Sequence, residues 1–345
     1  MDTPLSFNRY LRQQRFEPIG KAGQEFLAKS SALICGCGAL GSVIAERLAR
    51  SGVGHLRIVD RDWVELSNLQ RQTLFLERHA REAVPKSVAA VEMLSQINSE
   101  ITLEALVEDV TCDNIAALAQ DCDLIMDGTD NFETRLLIND YCVKNSIPWI
   151  HAGCLGASGQ VMTILPGQTA CFRCLVPELP PPETMQTCDT AGVLGTAIGI
   201  IASWQAAEAL KILSGNRSAA CRQLIVIDSW ETDCRRINLN PVSSCKTCGL
   251  GQFEFLDGRV RTESVVLCGK NAVQVTIPSS SGSFTDLQSL AEKWQTLGDV
   301  NVNAFFVRLS LPSMQVTLFR GGRTVVEGTT NSAEAKTLLA RILGS

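Results

Sequence analysis

From residue 31 onward, short apolar runs alternate with helix-forming stretches, and this alternation constrains the fold more than any other feature of the chain. Strands that alternate with helices are typical of parallel sheets, because parallel neighbours need a long crossover connection between them. The sequence therefore predicts an α/β fold with a doubly wound, mainly parallel sheet. Strands are expected at residues 32–34, 56–60, 101–106, 123–127 and 148–152, and helices at residues 41–50, 86–97, from 113 onward and 132–144.

The chain becomes less regular after residue 158. A Pro-rich stretch over residues 166–190 cannot be helical throughout. We predict three parts: an N-terminal arm at residues 1–30, a main domain at 31–252, and a small C-terminal α+β domain at 258–345, which carries no motif that indicates its role. Within these parts we expect strands at 159–165 and 223–228, an apolar helix at 193–213, a linker near 249–257, strands within 265–277 and 303–326, and helices at 286–294 and 332–343.

Composition and charge exclude several classes of protein. Hydrophobic residues make up 45% of the chain, so a large core is available and global disorder is excluded. The net charge of -5 argues against nucleic-acid binding through a basic surface. No secretory signal is visible, so a cytoplasmic location is expected. The apolar stretch at 193–213 contains Gln205, Glu208 and Lys211, which favours a buried helix over a membrane span.

A glycine-rich turn after the first strand indicates nucleotide binding. Gly36, Gly38 and Gly41 form the pattern GxGxxG, which opens the next helix. Glycines let the backbone approach a phosphate, and the helix N-terminus offers oriented N–H groups. Asp60 ends the second strand about 20 residues later, where a ribose-binding acid is expected in a Rossmann-like domain. The motif alone does not identify the nucleotide, and NAD is the default interpretation.

The polar residues that follow favour ATP over NAD. Arg71 lies in a polar loop at residues 65–72, Lys86 opens the next helix, and Asp130 follows a strand at the edge where α/β sheets bind ligands. A triphosphate carries about four negative charges and needs cationic side chains and a divalent cation held by a carboxylate. Each of these residues alone could be an ordinary surface charge. Together, in one crevice, they would meet the demand of a triphosphate.

These motifs together resemble the adenylating enzymes related to ubiquitin activation. The closest branch is the bacterial ThiF/MoeB/HesA group, which activates ubiquitin-like sulfur carriers. The resemblance spans about residues 8–249. It rests on residues 9–13 (RYLRQ), 36–41 (GCGALG), 67–72 (SNLQRQ), 85–86 (PK) and 127–131 (DGTDN).

The resemblance implies a reaction and a set of roles. ATP and Mg²⁺ would be bound by the main domain, and the C-terminal glycine carboxylate of a carrier of ThiS or MoaD type would be adenylated with release of pyrophosphate. The family is usually dimeric, and Arg12 would reach the phosphates bound by the neighbouring subunit. In the crevice, the resemblance assigns the ribose to Asp60, the magnesium to Asp130, and the phosphates to Asn68, Arg71 and Lys86.

Adenylation of a carboxylate needs no general base. A carboxylate is a competent nucleophile at pH 7, and its difficulty is electrostatic repulsion from the triphosphate. The protein must therefore supply positioning and cationic neutralisation at the α-phosphate. We accordingly assign no catalytic role to His55, His79 or His151.

Two CxxC pairs predict a metal site. Cys171 and Cys174 form one pair, and Cys245 and Cys248 form the other. Four thiolates suffice for a closed, tetrahedral structural zinc site. The interval between the pairs is longer than in a compact zinc ribbon, so four ordinary cysteines or a redox pair remain the alternative. The family resemblance favours zinc, because related members carry paired CxxC motifs at matching places.

Cys188 is a candidate nucleophile. It follows the Pro-rich stretch and precedes the long apolar helix, whose dipole would favour the thiolate. A thiolate can attack an acyl-adenylate. Its position matches the cysteine that this family uses or retains, although Asp189 beside it would oppose the thiolate.

Three functions remain open at this point. The first is an adenylyltransferase for a sulfur carrier, with covalent transfer through Cys188. The second is an NAD-dependent oxidoreductase, and the third is a non-catalytic scaffold that binds the carrier. ATP–pyrophosphate exchange distinguishes them, because neither alternative adenylates a carboxylate.

Overall fold

A computed structural model describes residues 9–180, 191–260, 264–267, 271–276, 286–320 and 322–343. The chain divides into two compact units, Met1–Val260 and Arg261–Ser345. Among the described residues, none of the helices combines the length and the apolarity needed to cross a membrane.

The described part of the first unit contains one eight-stranded sheet with the order β3-β2-β1-β4-β5-β6-β7-β8. Strands β1 to β5 run parallel, and β6, β7 and β8 continue the sheet as antiparallel neighbours. This topology confirms the prediction of a doubly wound, mainly parallel sheet. The strands are β1 (Ser31–Cys35), β2 (His55–Val59), β3 (Thr102–Leu106), β4 (Leu124–Asp127), β5 (Trp149–Leu155), β6 (Ser158–Ile164), β7 (Leu224–Asp228) and β8 (Asp233–Ile237).

Helices cover both faces of this sheet, because its central strands are apolar on both sides. In β1, Ile34 packs into one buried cluster and Leu33 into a second cluster on the opposite face. The helices of this unit are α1 (Leu11–Gln14), α2 (Gly20–Lys29), α3 (Ala39–Ser51), α4 (Glu77–Arg81), α5 (Lys86–Ile97), α6 (Ile115–Leu118), α7 (Phe132–Asn145), α8 (Phe172–Leu175) and α9 (Gly195–Leu213).

The long apolar helix α9 is buried against the sheet, as expected, because its polar residues find partners. Glu208 accepts a hydrogen bond from the backbone N–H of Cys221 at 2.7 Å and pairs with Lys211. Gln205 donates to the backbone oxygens of Asp127 and Ile150, at 2.8 and 2.7 Å. Buried polar groups that are satisfied in this way cost little stability.

The described part of the second unit is a six-stranded antiparallel sheet with helices packed on one face. It confirms the predicted small α+β fold. The predicted strand region at 265–277 contains two antiparallel strands, and the region at 303–326 contains three. Two short strands were not predicted. In the first unit β8 (DCRRI) has no apolar run, and in the second unit β11 (DVNV) is only four residues long and contains Asp and Asn, which are depleted in strands. The elements are β9 (Ser264–Leu267), β10 (Ala272–Thr276), α10 (Leu287–Trp294), β11 (Asp299–Val302), β12 (Phe306–Ser310), β13 (Gln315–Phe319), β14 (Arg323–Glu327) and α11 (Ser332–Leu343).

Candidate nucleotide crevice and cysteine cluster

The glycine-rich turn packs directly against the turn that follows β4. Gly36 has a φ of +84°, and a Cβ there would lie 2.7 Å from the backbone oxygen of Gly128. A Cβ at Gly41 would lie 1.9 Å from the oxygen of Gly36. At Gly38, which precedes α3, the nearest atom would be the side chain of Gln72 at 3.9 Å. Gly36 and Gly41 are thus needed for close packing, whereas Gly38 leaves space at the N-terminus of α3 for a phosphate.

Asp60 ties the end of β2 to this turn. Its buried carboxylate accepts hydrogen bonds from the backbone N–H groups of Cys37 at 2.6 Å and of Asp62 at 2.7 Å. Burial raises the pKa of Asp60, and the nearby Lys86 opposes that effect. The carboxylate is thus fixed beside the glycine-rich turn, and its role as the ribose ligand stays a prediction.

Lys86 brings a buried positive charge to the same crevice. It opens α5, and its Nζ lies 3.3 Å from Oδ2 of Asp62. Burial alone would lower the pKa of Lys86, but the carboxylates of Asp62, Asp60 and Asp130 together raise it above its ordinary value. The lysine is therefore charged at neutral pH, and its phosphate-binding role stays a prediction.

Asn68 and Arg71 lie in the loop that follows β2. Asn68 is buried, and its Oδ1 accepts a hydrogen bond from the backbone N–H of Glu65 at 3.2 Å. The Arg71 guanidinium donates to the backbone oxygen of Ser67 at 3.0 Å, within its own loop. Arg12 lies exposed on α1. The phosphate-binding roles of these three residues stay predictions.

Asp130 is exposed on the turn between β4 and α7. Asn131 caps α7, since its Oδ1 accepts a hydrogen bond from the backbone N–H of Thr134 at 2.8 Å. An exposed carboxylate at the carboxyl end of a parallel strand is the kind of oxygen ligand that Mg²⁺ prefers. This residue fits the predicted magnesium ligand.

Sequence reasoning missed a buried network directly behind this turn. Asp127 contacts both Arg135 and His151, and none of the three had been given a role. The sequence DGTDN at residues 127–131 indicated only the turn itself as a candidate site. The partners lie 8 and 24 residues further along the chain, and only the folded sheet brings them together.

The four predicted metal ligands converge. The Sγ atoms of Cys171, Cys174, Cys245 and Cys248 all lie within 4.8 Å of one another. Neighbouring pairs are 3.4 to 3.9 Å apart. Tetrahedral zinc with Zn–S bonds of about 2.3 Å places its sulfur atoms about 3.8 Å apart. The cluster therefore fits a Cys₄ zinc site, which joins α8 to a turn 74 residues later in the chain.

Two thiols of this cluster resist ionisation, and one does not. Burial alone would raise the pKa of Cys245, but hydrogen bonds from Cys248 and Cys171 lower it. Burial, together with the neighbouring charge of Cys174, raises the pKa of Cys171 far above its ordinary value. Burial likewise raises the pKa of Cys248 to about 12. A divalent cation would compensate for this crowding, because metal binding deprotonates coordinating thiols.

Cys188 lies outside the described residues, so its role stays a prediction. The chain that follows it is described from residue 191. Gly192 and Leu194 form backbone hydrogen bonds with Gly156 in the turn between β5 and β6, at 3.0 and 2.8 Å.

The chain has extensive similarity to named proteins. A sulfur carrier protein ThiS adenylyltransferase of Bacillus subtilis is 40% identical over 340 residues, which cover 97% of this chain and 99% of that protein. A protein of the same name from Escherichia coli is 39% identical over 70% of this chain and 95% of its own length. The adenylyltransferase and sulfurtransferase MOCS3 of Danio rerio is 38% identical, and the match covers only 57% of that longer protein.

Solved structures support the fold. The structure of E. coli MccB with ATP superposes with a TM-score of 0.62 at 23% identity, covering 70% of this chain and 75% of that one. At that identity the likeness shows the fold alone. The model of the ThiF family matches residues 10–248, well over half of the chain. This match and the near full-length similarity to the Bacillus protein agree with the resemblance found in the motifs: the chain belongs to the ThiF family.

Proposed function

We propose that this chain uses ATP to adenylate the C-terminal glycine carboxylate of a ubiquitin-like sulfur carrier of ThiS or MoaD type. The observation that supports the proposal is the group of charges in which Lys86 lies among Asp60, Asp62 and Asp130, with Asp60 hydrogen-bonded to the backbone of Cys37, next to Gly38. The similarity to ThiS adenylyltransferases over nearly the whole chain supports the choice of substrate.

In the proposed reaction, a carboxylate oxygen of the carrier attacks the α-phosphorus of ATP. The bond between the α-phosphorus and the bridging oxygen breaks, and pyrophosphate leaves with the electron pair. No proton is transferred, so no histidine is required. The protein contributes charge neutralisation and alignment. Lys86, Arg71 and Asn68 would bind the phosphates, and Asp60 would bind the ribose.

The charges of the crevice explain why a divalent cation belongs to the proposal. Asp60, Asp62 and Asp130 surround Lys86, and Arg61 also lies beside Asp62 and Asp130, so two cations only partly balance the three carboxylates. A triphosphate with about four negative charges would be repelled from them without a cation. We therefore propose ATP and Mg²⁺ as ligands of the crevice, with Asp130 holding the ion, and Zn²⁺ as the ligand of the cysteine cluster.

The proposal extends to the organisation of the protein. We assign adenylation and the zinc site to residues 31–252, and contact with a second subunit to the arm at residues 1–30. The protein would act as a cytoplasmic homodimer. The C-terminal domain at residues 258–345 is left without an assigned role.

The decisive experiment is ATP–pyrophosphate exchange with purified carrier proteins. We expect exchange only when both this protein and a carrier that ends in glycine are present. Exchange that is absent with every carrier, combined with binding of NADH, would favour an oxidoreductase. Tight carrier binding without exchange would favour the scaffold.

A Cys188→Ser variant should separate activation from transfer. Since the carboxylate attacks ATP without the thiol, exchange should stay close to the wild-type rate. A thiol-labile covalent adduct with the carrier should be lost, because a serine hydroxyl is a far weaker nucleophile. Mass spectrometry of the intact protein after incubation with ATP and carrier measures this. An adduct that persists and maps to another cysteine would show that Cys188 is the wrong residue.

Arg12 should act across the dimer interface. When Arg12→Ala and Lys86→Ala proteins are mixed and exchange subunits, half of the dimers are mixed, and each of these has one crevice with both cations. Exchange should therefore recover to about a quarter of the wild-type rate. No recovery in mixtures shown to exchange subunits would exclude a role for Arg12 in the partner's crevice.

A further inference from the structure

The buried carboxylate of Asp127 is the centre of a hydrogen-bond network behind the Asp130 turn. Asp127 is fully buried at the end of β4. Its Oδ1 accepts hydrogen bonds from the backbone N–H of Thr129 at 2.9 Å and from the Thr129 hydroxyl at 2.6 Å. Its Oδ2 lies 2.7 Å from Nδ1 of His151 and 3.2 Å from Nε of Arg135. One oxygen thus holds the turn, and the other is held by two neighbouring elements.

Arg135 closes the network on the turn from the other side. It lies on α7, and its Nη2 donates to the backbone oxygen of Thr129 at 2.6 Å. Thr129 is therefore fixed through its N–H, its hydroxyl and its carbonyl oxygen. Since Asp130 is the next residue, these three bonds determine where its backbone, and hence its carboxylate, can lie.

His151 is itself restrained. The Phe172 ring centroid lies 4.5 Å from that of His151, and the Trp149 centroid lies 6.1 Å away. Gln160 Nε2 lies 3.3 Å from His151 Nε2. The neutral ring therefore donates from Nδ1 to Asp127 and accepts from Gln160 at Nε2.

The charges of the network support this arrangement. Burial alone would raise the pKa of Asp127, but Arg135, His151 and Thr129 together lower it below its ordinary value. Burial lowers the pKa of His151. At neutral pH the network consists of a carboxylate, a guanidinium and a neutral imidazole, so every bond above has a matched donor and acceptor.

Stability of the fold alone gives little reason to bury this group. Apolar residues of similar volume often replace buried ion pairs without loss of stability. Both oxygens of the Asp127 carboxylate accept hydrogen bonds here, and one of them is bonded to Thr129, the residue before the exposed Asp130. Fixed geometry of this kind is typical of groups that orient a metal ligand.

We propose that Asp127, Arg135 and His151 are positioning residues for Asp130, and that they set the affinity of the crevice for the divalent cation that accompanies ATP. This inference rests on the proposed function, because it takes Asp130 as the ligand of that cation. None of the three touches the substrate in this proposal. Their effect is transmitted through Thr129.

Substitutions at His151 test the proposal. In His151→Leu the donor to Asp127 is lost, and the Mg²⁺ concentration needed for half-maximal exchange should rise about 10-fold or more, with the KM for the carrier unchanged. In His151→Asn the side-chain amide places an N–H near the former Nδ1, so the Mg²⁺ requirement should return close to the wild-type value. His55→Leu, at the opposite end of the sheet, is the matched control and should leave the requirement unchanged.

A binding measurement makes the test independent of activity. Calorimetric titration of each variant with ATP and Mg²⁺ should show the same weakening of Mg²⁺-dependent binding in His151→Leu. If His151→Leu does not fold, Thr129→Val removes one bond to Asp127 at a partly exposed position and should also weaken the Mg²⁺ dependence. Unchanged Mg²⁺ dependence in the folded variants, whatever their melting temperatures, would overturn the proposal.

The two proposals fail differently. If wild-type protein shows no exchange with any carrier, the proposed function fails, and the calorimetric comparison still decides whether the network positions Asp130. If wild-type protein exchanges normally and both His151 variants need the same Mg²⁺ concentration as wild type, only the positioning role fails.

Discussion

Replacing Asp130 by alanine is expected to lower carrier-dependent ATP–pyrophosphate exchange by about 100-fold or more. The variant removes an exposed carboxylate, and the buried Lys86 keeps Asp62 and Asp60 beside it, so the fold should be retained. In the proposed function this carboxylate holds the divalent cation against the triphosphate, and without that cation the charge of the triphosphate is not neutralised. Exchange measured over a range of Mg²⁺ concentrations tests the prediction.

Controls separate this effect from a general loss of structure. Asp121→Asn removes an exposed carboxylate before β4, at the end of the strand opposite Asp130, and should leave exchange unchanged. The melting temperature of Asp130→Ala should match that of wild type. An Asp130→Ala protein that exchanges at the wild-type rate would show that another residue holds the cation.

The site residues that follow a strand in the chain could be predicted from the sequence. Gly36, Asp60 and Asp130 each come directly after an apolar run, and parallel strands present their carboxyl ends at one edge. Lys86 was accessible because it opens a helix in the same unit. Local pattern and sheet topology together were enough to place these residues in one crevice.

Residues that act through long-range contacts were not accessible in the same way. His151 was expected to be structural, because a buried histidine has no local signal that distinguishes core packing from a hydrogen bond to Asp127. The hydrogen bond between Asp62 and Lys86 was also not predicted, since both lie in polar loops or at helix starts. The CxxC pairs were recognised, but their convergence depends on contacts between segments 74 residues apart.

Loss of metal from the cysteine cluster is expected to be the most damaging change to stability. Protein purified without chelators should contain about one zinc per chain. In the proposed site a metal would link α8 to residues 245–248, and polar contacts in the same region would depend on that link. Asp140 accepts hydrogen bonds from Thr247 at 2.6 Å and from the backbone of Phe255 at 3.0 Å. Arg173 pairs with Glu254 at 2.6 Å.

Without the metal, Asp140 and Arg173 would keep these partners only while residues 245–255 stay packed against α7 and α8. We expect the free energy of unfolding to fall by about 4 kcal/mol when the metal is removed. This corresponds to a drop of about 10 °C in Tm for a domain of this size. On heating, amide hydrogen exchange should increase at residues 171–180 at a lower temperature than at the glycine-rich turn. The reason is that α8 is short and its position depends on the cluster. The nucleotide crevice should open only at higher temperature.

Matched cysteine variants make this expectation specific. Cys245→Ser removes a buried ligand, so metal content and Tm should fall together. Cys234→Ser changes an exposed thiol on β8 and should alter neither. Because protons compete with the metal for the thiolates, the metal should also be lost progressively as the pH falls, and the wild-type protein should then melt like Cys245→Ser. Metal-free wild-type protein with an unchanged Tm would exclude a structural metal, and the four cysteines would then be ordinary packing residues.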